Sequence, residues 1–106
     1  MSPRPLSSRE QQLIEWYSYC QRGMTPQSFY AKWQVSQEEM AAICSRSVST
    51  VNRWFRKGRS YRRPTLVDLR HLALMDFLLD HFDHIPEELR QALCSNEPKD
   101  AEDEPT

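Results

Sequence analysis

Glycine is almost missing from this chain: Gly23 and Gly58 are the only two in 106 residues. With so little glycine and no alternating β-branched runs, the chain is predicted to be helical and punctuated by caps. Long apolar runs are missing as well. Runs such as Met40-Ala41-Ala42-Ile43-Cys44 and Leu72-Ala73-Leu74-Met75 are far short of the ~20 residues needed to span a bilayer, so no membrane partner is expected. The opening Met1-Ser2-Pro3-Arg4-Pro5 lacks the apolar stretch of a secretory signal. Cysteine is scarce and odd in number, three residues at Cys20, Cys44 and Cys94, which argues against a disulfide framework and for a soluble, reduced, cytoplasmic protein. The length suits one compact unit plus tails and excludes a two-domain enzyme, a TIM barrel or a doubly wound dinucleotide fold. A Gly-rich phosphate loop, a nucleophile elbow and paired catalytic carboxylates are all missing, so no enzyme activity and no cofactor are expected.

Charge is present in abundance, and it is segregated. The formal net charge is only −1. Residues 1–75 nevertheless hold twelve Lys/Arg against five Asp/Glu, a net of +7. Residues 76–106 hold two against ten, a net of −8. Between Ala41 and Asp68 lie seven basic residues (Arg46, Arg53, Arg56, Lys57, Arg59, Arg62, Arg63) and no acidic one. The local field therefore says more about partners than the average does.

Capping signals divide the chain into an all-α bundle of about five to six helices. Residues 1–6 form a flexible leader, 7–94 the helical domain and 95–106 an acidic tail with nothing to build a core, predicted to be disordered. A first helix starts at a capping box, Ser7 with Glu10 or Ser8 with Gln11. It carries an apolar stripe of Leu13, Trp16, Tyr17 and Cys20 and is closed by Gly23. Thr25-Pro26 caps a second helix with Phe29, Tyr30 and Trp33; Trp16, Tyr30 and Trp33 are expected in the core. Ser36 and Glu39 make another capping box for a helix carrying Met40, Ala41, Ile43 and Cys44. After a turn at Cys44-Ser45-Arg46, Ser47 caps a helix that runs to Lys57 before Gly58. A basic linker spans 58–64, and a long apolar helix 65–83 precedes a short one at 86–93.

The pair of helices in 36–57 is the part that carries chemistry. At 100° per residue, Val48, Val51, Trp54 and Phe55 share one side of the 47–57 helix. Ser49, Arg53, Arg56 and Lys57 share the other, flanked by Thr50 and Asn52. Such a helix fits a B-form major groove, where Arg pairs with guanine, Asn with adenine and Thr with a thymine methyl.

Gln37 to Phe55 resembles the helix-turn-helix of small bacterial DNA-binding regulators of the repressor or Cro type. Ala41 stands where that family needs a small side chain, Val51 and Trp54 where it buries residues of the second helix, and Ser45 where its turn usually holds glycine. The resemblance implies sequence-specific binding of double-stranded DNA, transcription regulation and a nucleoid-associated location. Ser49, Thr50, Asn52 and Arg53 are the expected base readers. Gln37, Arg46, Ser47, Arg56, Lys57, Arg59, Arg62 and Arg63 are the expected backbone contacts. Two rival readings are a DNA-binding module of a recombinase or transposase system and a protein-interaction adaptor that has lost DNA.

The helix at 65–83 carries too much apolar surface for one face, which leaves a homodimer through it as open as a core centred on it. His81 and His84 lie near Asp80 and Asp83, but no further ligand pair has matching spacing and no metal is expected. Cys44 reads as a small core residue. Glu97, Asp100, Glu102, Asp103 and Glu104 either solubilise the tail, the favoured reading, or compete with DNA for the basic patch.

Overall fold

The computed structural model describes residues 4–93, and all regular structure among them is helical. The helices are α1 (Ser8–Ser18), α2 (Pro26–Trp33), α3 (Gln37–Cys44), α4 (Val48–Trp54), α5 (Leu66–Asp80) and α6 (Glu87–Ala92), with 3-10 turns at Gly58–Ser60 and Phe82–His84. The expectations about the tail after Ser95, and about Cys94, lie outside the described residues.

Local capping chemistry sets the helix starts. Ser7 and Glu10 exchange side chain-to-backbone hydrogen bonds, as do Ser36 and Glu39, so both boxes satisfy N–H groups that a helix start would leave unpaired. Thr25 caps α2 with Pro26 in its first position, and Ser47 caps α4 by accepting from the Thr50 N–H at 3.1 Å. Thr65 and Asp68 form a third reciprocal pair at the start of α5: Thr65 N–H donates to the Asp68 carboxylate and Asp68 N–H to Thr65 Oγ1.

The chain divides between Met75 and Asp76, the position at which the charge of the sequence inverts. In the first unit Phe29, Met40, Ala41, Cys44, Val51, Trp54, Leu72 and Ala73 are buried. They come from α2, α3, α4 and the first part of α5. The helix-turn-helix pair thus sits with its inner faces in the core. In the second unit no described residue is fully buried, and Phe77, Leu78, Phe82, Leu89 and Leu93 are exposed. The Arg90 guanidinium covers the Phe82 ring at 4.3 Å, and the Phe77 and His81 rings lie 4.3 Å apart.

Several expectations need correction. The apolar stripe of α1 is not a core face: no residue of α1 is buried, and Trp16 is 65% exposed. Arg70 holds the end of that helix, donating to the Tyr17 carbonyl and lying 4.2 Å from the Tyr17 ring. Tyr30 is exposed rather than core, and Trp33 is half-buried under the Lys32 ammonium at 5.2 Å. Gly23 does not close α1, which is capped at Tyr19. A Cβ at Gly23 would lie 3.5 Å from the Leu69 Cβ, in the stretch where Met24 N–H donates to the Leu69 carbonyl. The long helix ends at Asp80, and His81 to Ile85 continue as a separate turn. Helix α4 ends at Trp54, three residues before Lys57.

The turn between α3 and α4 is built on a left-handed residue that is not glycine. Ser45 is left-handed (φ 57°, ψ 46°), with its N–H bonded to Ala42 and the Arg46 N–H to the Ala41 carbonyl. A side chain at that φ costs about 1–2 kcal/mol, part of which glycine returns as unfolded-chain entropy. Ser45→Gly is therefore expected to stabilise the fold by about 0.5–1 kcal/mol, read as a raised melting temperature. An unchanged or lower one would mean that the serine side chain contributes something to the turn.

Candidate nucleic-acid interface

Helix α4 presents its polar side outward because its other side is committed. Val51 and Trp54 are fully buried, and the Trp54 carbonyl accepts a 3.0 Å hydrogen bond from Gln27 Nε2 of α2. Phe55, just past the helix, meets the Tyr30 ring edge-on at 6.3 Å. Val48, expected beside them, is instead 43% exposed. These anchors leave Ser49, Arg53 and Arg56 exposed and Thr50 and Asn52 half-buried.

The segment after α4 is fastened to it by two reciprocal bonds. Arg53 Nε donates to the Ser60 carbonyl at 3.2 Å, and the Arg62 N–H donates to the Arg53 carbonyl at 3.1 Å. Gly58 permits the reversal with φ +68°, and the Tyr61 N–H closes the turn on the Gly58 carbonyl. The consequence is electrostatic. Arg53, Arg56, Lys57, Arg59, Arg62 and Arg63 are all exposed on α4 and the segment tied back against it. Six like charges held on one stretch of surface favour a polyanionic partner.

Across the top of the motif runs a chain of side-chain bonds that the sequence pattern did not reveal. Arg56 Nε donates to Asn52 Oδ1 at 2.8 Å, and Asn52 Nδ2 donates to Gln37 Oε1 at 3.2 Å. This links the first residue of α3 to the outer face of α4. Near the N-terminus of α4, Ser47 Oγ donates to Thr50 Oγ1 at 2.9 Å and lies 3.2 Å from Ser49 Oγ. The Ser47 hydroxyl thus serves as cap and local link.

Arg46, one of the expected backbone contacts, has a partner within the fold. Its Nε and Nη2 bind the two carboxylate oxygens of Asp68 at 2.9 and 3.2 Å, a fork-to-fork pair. Asp68 is only 1% exposed and also accepts from the N–H and hydroxyl of Thr65. Burial pushes the Asp68 carboxyl up, but Arg46 and the two Thr65 donors outweigh it, and the carboxyl ends below its ordinary value. Arg46 is thereby neutralised within the fold and fastens the turn between α3 and α4 to α5.

The neighbouring thiol follows the same electrostatics. Cys44 donates from Sγ to the Asp68 carbonyl at 3.7 Å. Burial and then the Asp68 charge push it up to about 11, against the opposing pull of Arg46. A thiol held protonated in this way packs and does not react. His81 Nδ1 lies 2.8 Å from the Phe77 carbonyl. Among the described residues no three His, Cys, Asp or Glu side chains converge as metal ligands would. Nor is any helix there long and apolar enough to cross a membrane. No protein-family model, curated protein or solved structure matches the chain.

Proposed function

We propose that this protein binds double-stranded DNA sequence-specifically, inserting α4 in the major groove, and regulates transcription. One observation carries the reading: the outward face of α4 and the basic segment 58–63 are clasped together, so an acid-free set of cations flanks the polar side chains of a helix following a left-handed turn. Ser49, Thr50, Asn52 and Arg53 are the base readers in this reading. Lys57, Arg59, Arg62 and Arg63 grip backbone phosphates, giving affinity and register rather than sequence choice. A seven-residue helix reads few base pairs. The reading therefore includes pairing of two chains through exposed apolar positions of α5 such as Leu66 and Val67, with the two α4 helices ~34 Å apart.

Salt dependence is the test. About five neutralised phosphates give a slope of log K against log salt of about −4 to −5. Affinity for a random-sequence duplex, followed by fluorescence anisotropy, is expected to fall on the order of 500-fold between about 50 and 200 mM salt. The same titration gives the number of chains per duplex. No binding at low salt, or binding indifferent to salt, would remove the proposal and favour a protein partner for the basic face.

A further inference from the structure

The bonds joining Gln37, Asn52 and Arg56 have only one consistent polarity. An arginine Nε can only donate, so the Asn52 atom 2.8 Å from it is the carbonyl oxygen. The Asn52 amide nitrogen then faces the other way, toward Gln37, whose Oε1 accepts at 3.2 Å. Each brace uses one lone pair of Oδ1 or one hydrogen of Nδ2. One lone pair and one N–H therefore remain on the amide for a further partner. That acceptor-donor pair matches the N6–H and N7 of adenine in the major groove. A reversed amide would set donor against donor and acceptor against acceptor.

We infer that Gln37 and Arg56 are positioning residues that lock the Asn52 amide in the sense that reads adenine. The inference rests on the DNA-binding reading and assigns Gln37 and Arg56 a task in addition to the phosphate contacts expected of them. Unbraced, the amide rotates between both senses, and only one of them suits adenine. The braces set discrimination at one base pair and leave the general attraction to DNA untouched. Arg56 keeps its terminal Nη groups for the phosphate or base beside that adenine. Gln37 keeps its Nε2 donors.

The experiment selects from a pool of duplexes carrying a randomised 20-bp core, using wild type and the Asn52→Ala, Gln37→Ala and Gln37→Glu variants. Affinities for the enriched duplex, its single-base substitutions and an unselected duplex are then compared at one salt concentration. Wild type is expected to enrich a motif with an adenine preferred about tenfold or more over other bases. Asn52→Ala and Gln37→Ala are both expected to lose that preference at that position, and to weaken the selected duplex far more than the unselected one. Gln37→Glu retains the acceptor for Asn52 Nδ2 and keeps the preference, while its added negative charge weakens all duplexes alike. Four results overturn the inference: Gln37→Ala leaves the motif intact, it weakens selected and unselected duplexes equally, Gln37→Glu loses the adenine preference, or the wild-type motif has no adenine tied to Asn52. If wild type binds no duplex at all, the DNA reading itself fails, a result distinct from these four.

Discussion

Replacing Asp68 by alanine is expected to destabilise the fold by about 3 kcal/mol, lowering the melting temperature by roughly 12–25 °C. The side chain is buried and accepts four hydrogen bonds, two from Arg46 and two from Thr65. Its loss unpairs the capped start of α5 and releases Arg46 from the turn between α3 and α4. The cost stays at the low end for a broken buried pair because the stranded partner is not itself buried: the Arg46 side chain is 36% exposed and can turn its charge to water. A melting temperature within a few degrees of wild type would show that the pair does not hold α5 to the motif.

The same carboxylate sets a pH dependence whose sign follows from its lowered pKa. The native carboxyl titrates below its unfolded value, so its contribution is complete above the ordinary carboxylate pKa of about 4 and drains away as pH falls through the lower native value. The gap in stability between wild type and Asp68→Ala is therefore expected to be constant near neutrality and to narrow in acid. A gap that stayed constant down to about pH 2 would rule out the charge as its source.

What was legible in the sequence is what is decided within one helical turn. The cap at Ser7 with Glu10, the cap at Ser36 with Glu39 and the Thr25-Pro26 start are four-residue or two-residue signals, and all three form. The alternation that hides Val51 and Trp54 while exposing Ser49 and Arg53 is also local, a matter of helical period. Partners distant in sequence were not legible. Nothing near Arg46 announces that its charge is used by Asp68, 22 positions later. Asp68 itself looks like any acid in a first helical turn. The α1 stripe shows why periodicity alone is insufficient: it defines an apolar face without saying what covers it, and within the first unit nothing buries Leu13 or Trp16. Beyond the end of helix α4 the contacts are likewise tertiary, since the Arg53 carbonyl accepts from the Arg62 N–H of a loop whose reversal depends on Gly58. Its place in the motif makes Gln37 an expected contact to DNA. Its bond to Asn52 depends on how α3 crosses α4, which no spacing in the chain encodes.

Trp54 poses the question that any aromatic residue in a nucleic-acid-binding helix poses, whether it stacks on a base or holds the helix in place. Burial decides it, because a ring that is 1% exposed has no face to offer a base. Trp54→Ala is therefore expected to cost about 3–5 kcal/mol, a large share of the roughly 5–15 kcal/mol that holds a domain together. Thermal melts followed by circular dichroism should fall by roughly 15–30 °C, with Trp54→Phe losing far less because most of the volume remains. Gln27, whose Nε2 donates to the Trp54 carbonyl, keeps its acceptor in both variants, so the loss reports the ring and not the backbone bond. Duplex binding measured well below the lowered melting temperature should be close to wild type, since the exposed arginines and Asn52 lie on the opposite side of α4. Weakened binding with an unchanged melt would make Trp54 a base contact instead. The outer face of α4 would then have to be sought on the side that the fold now buries.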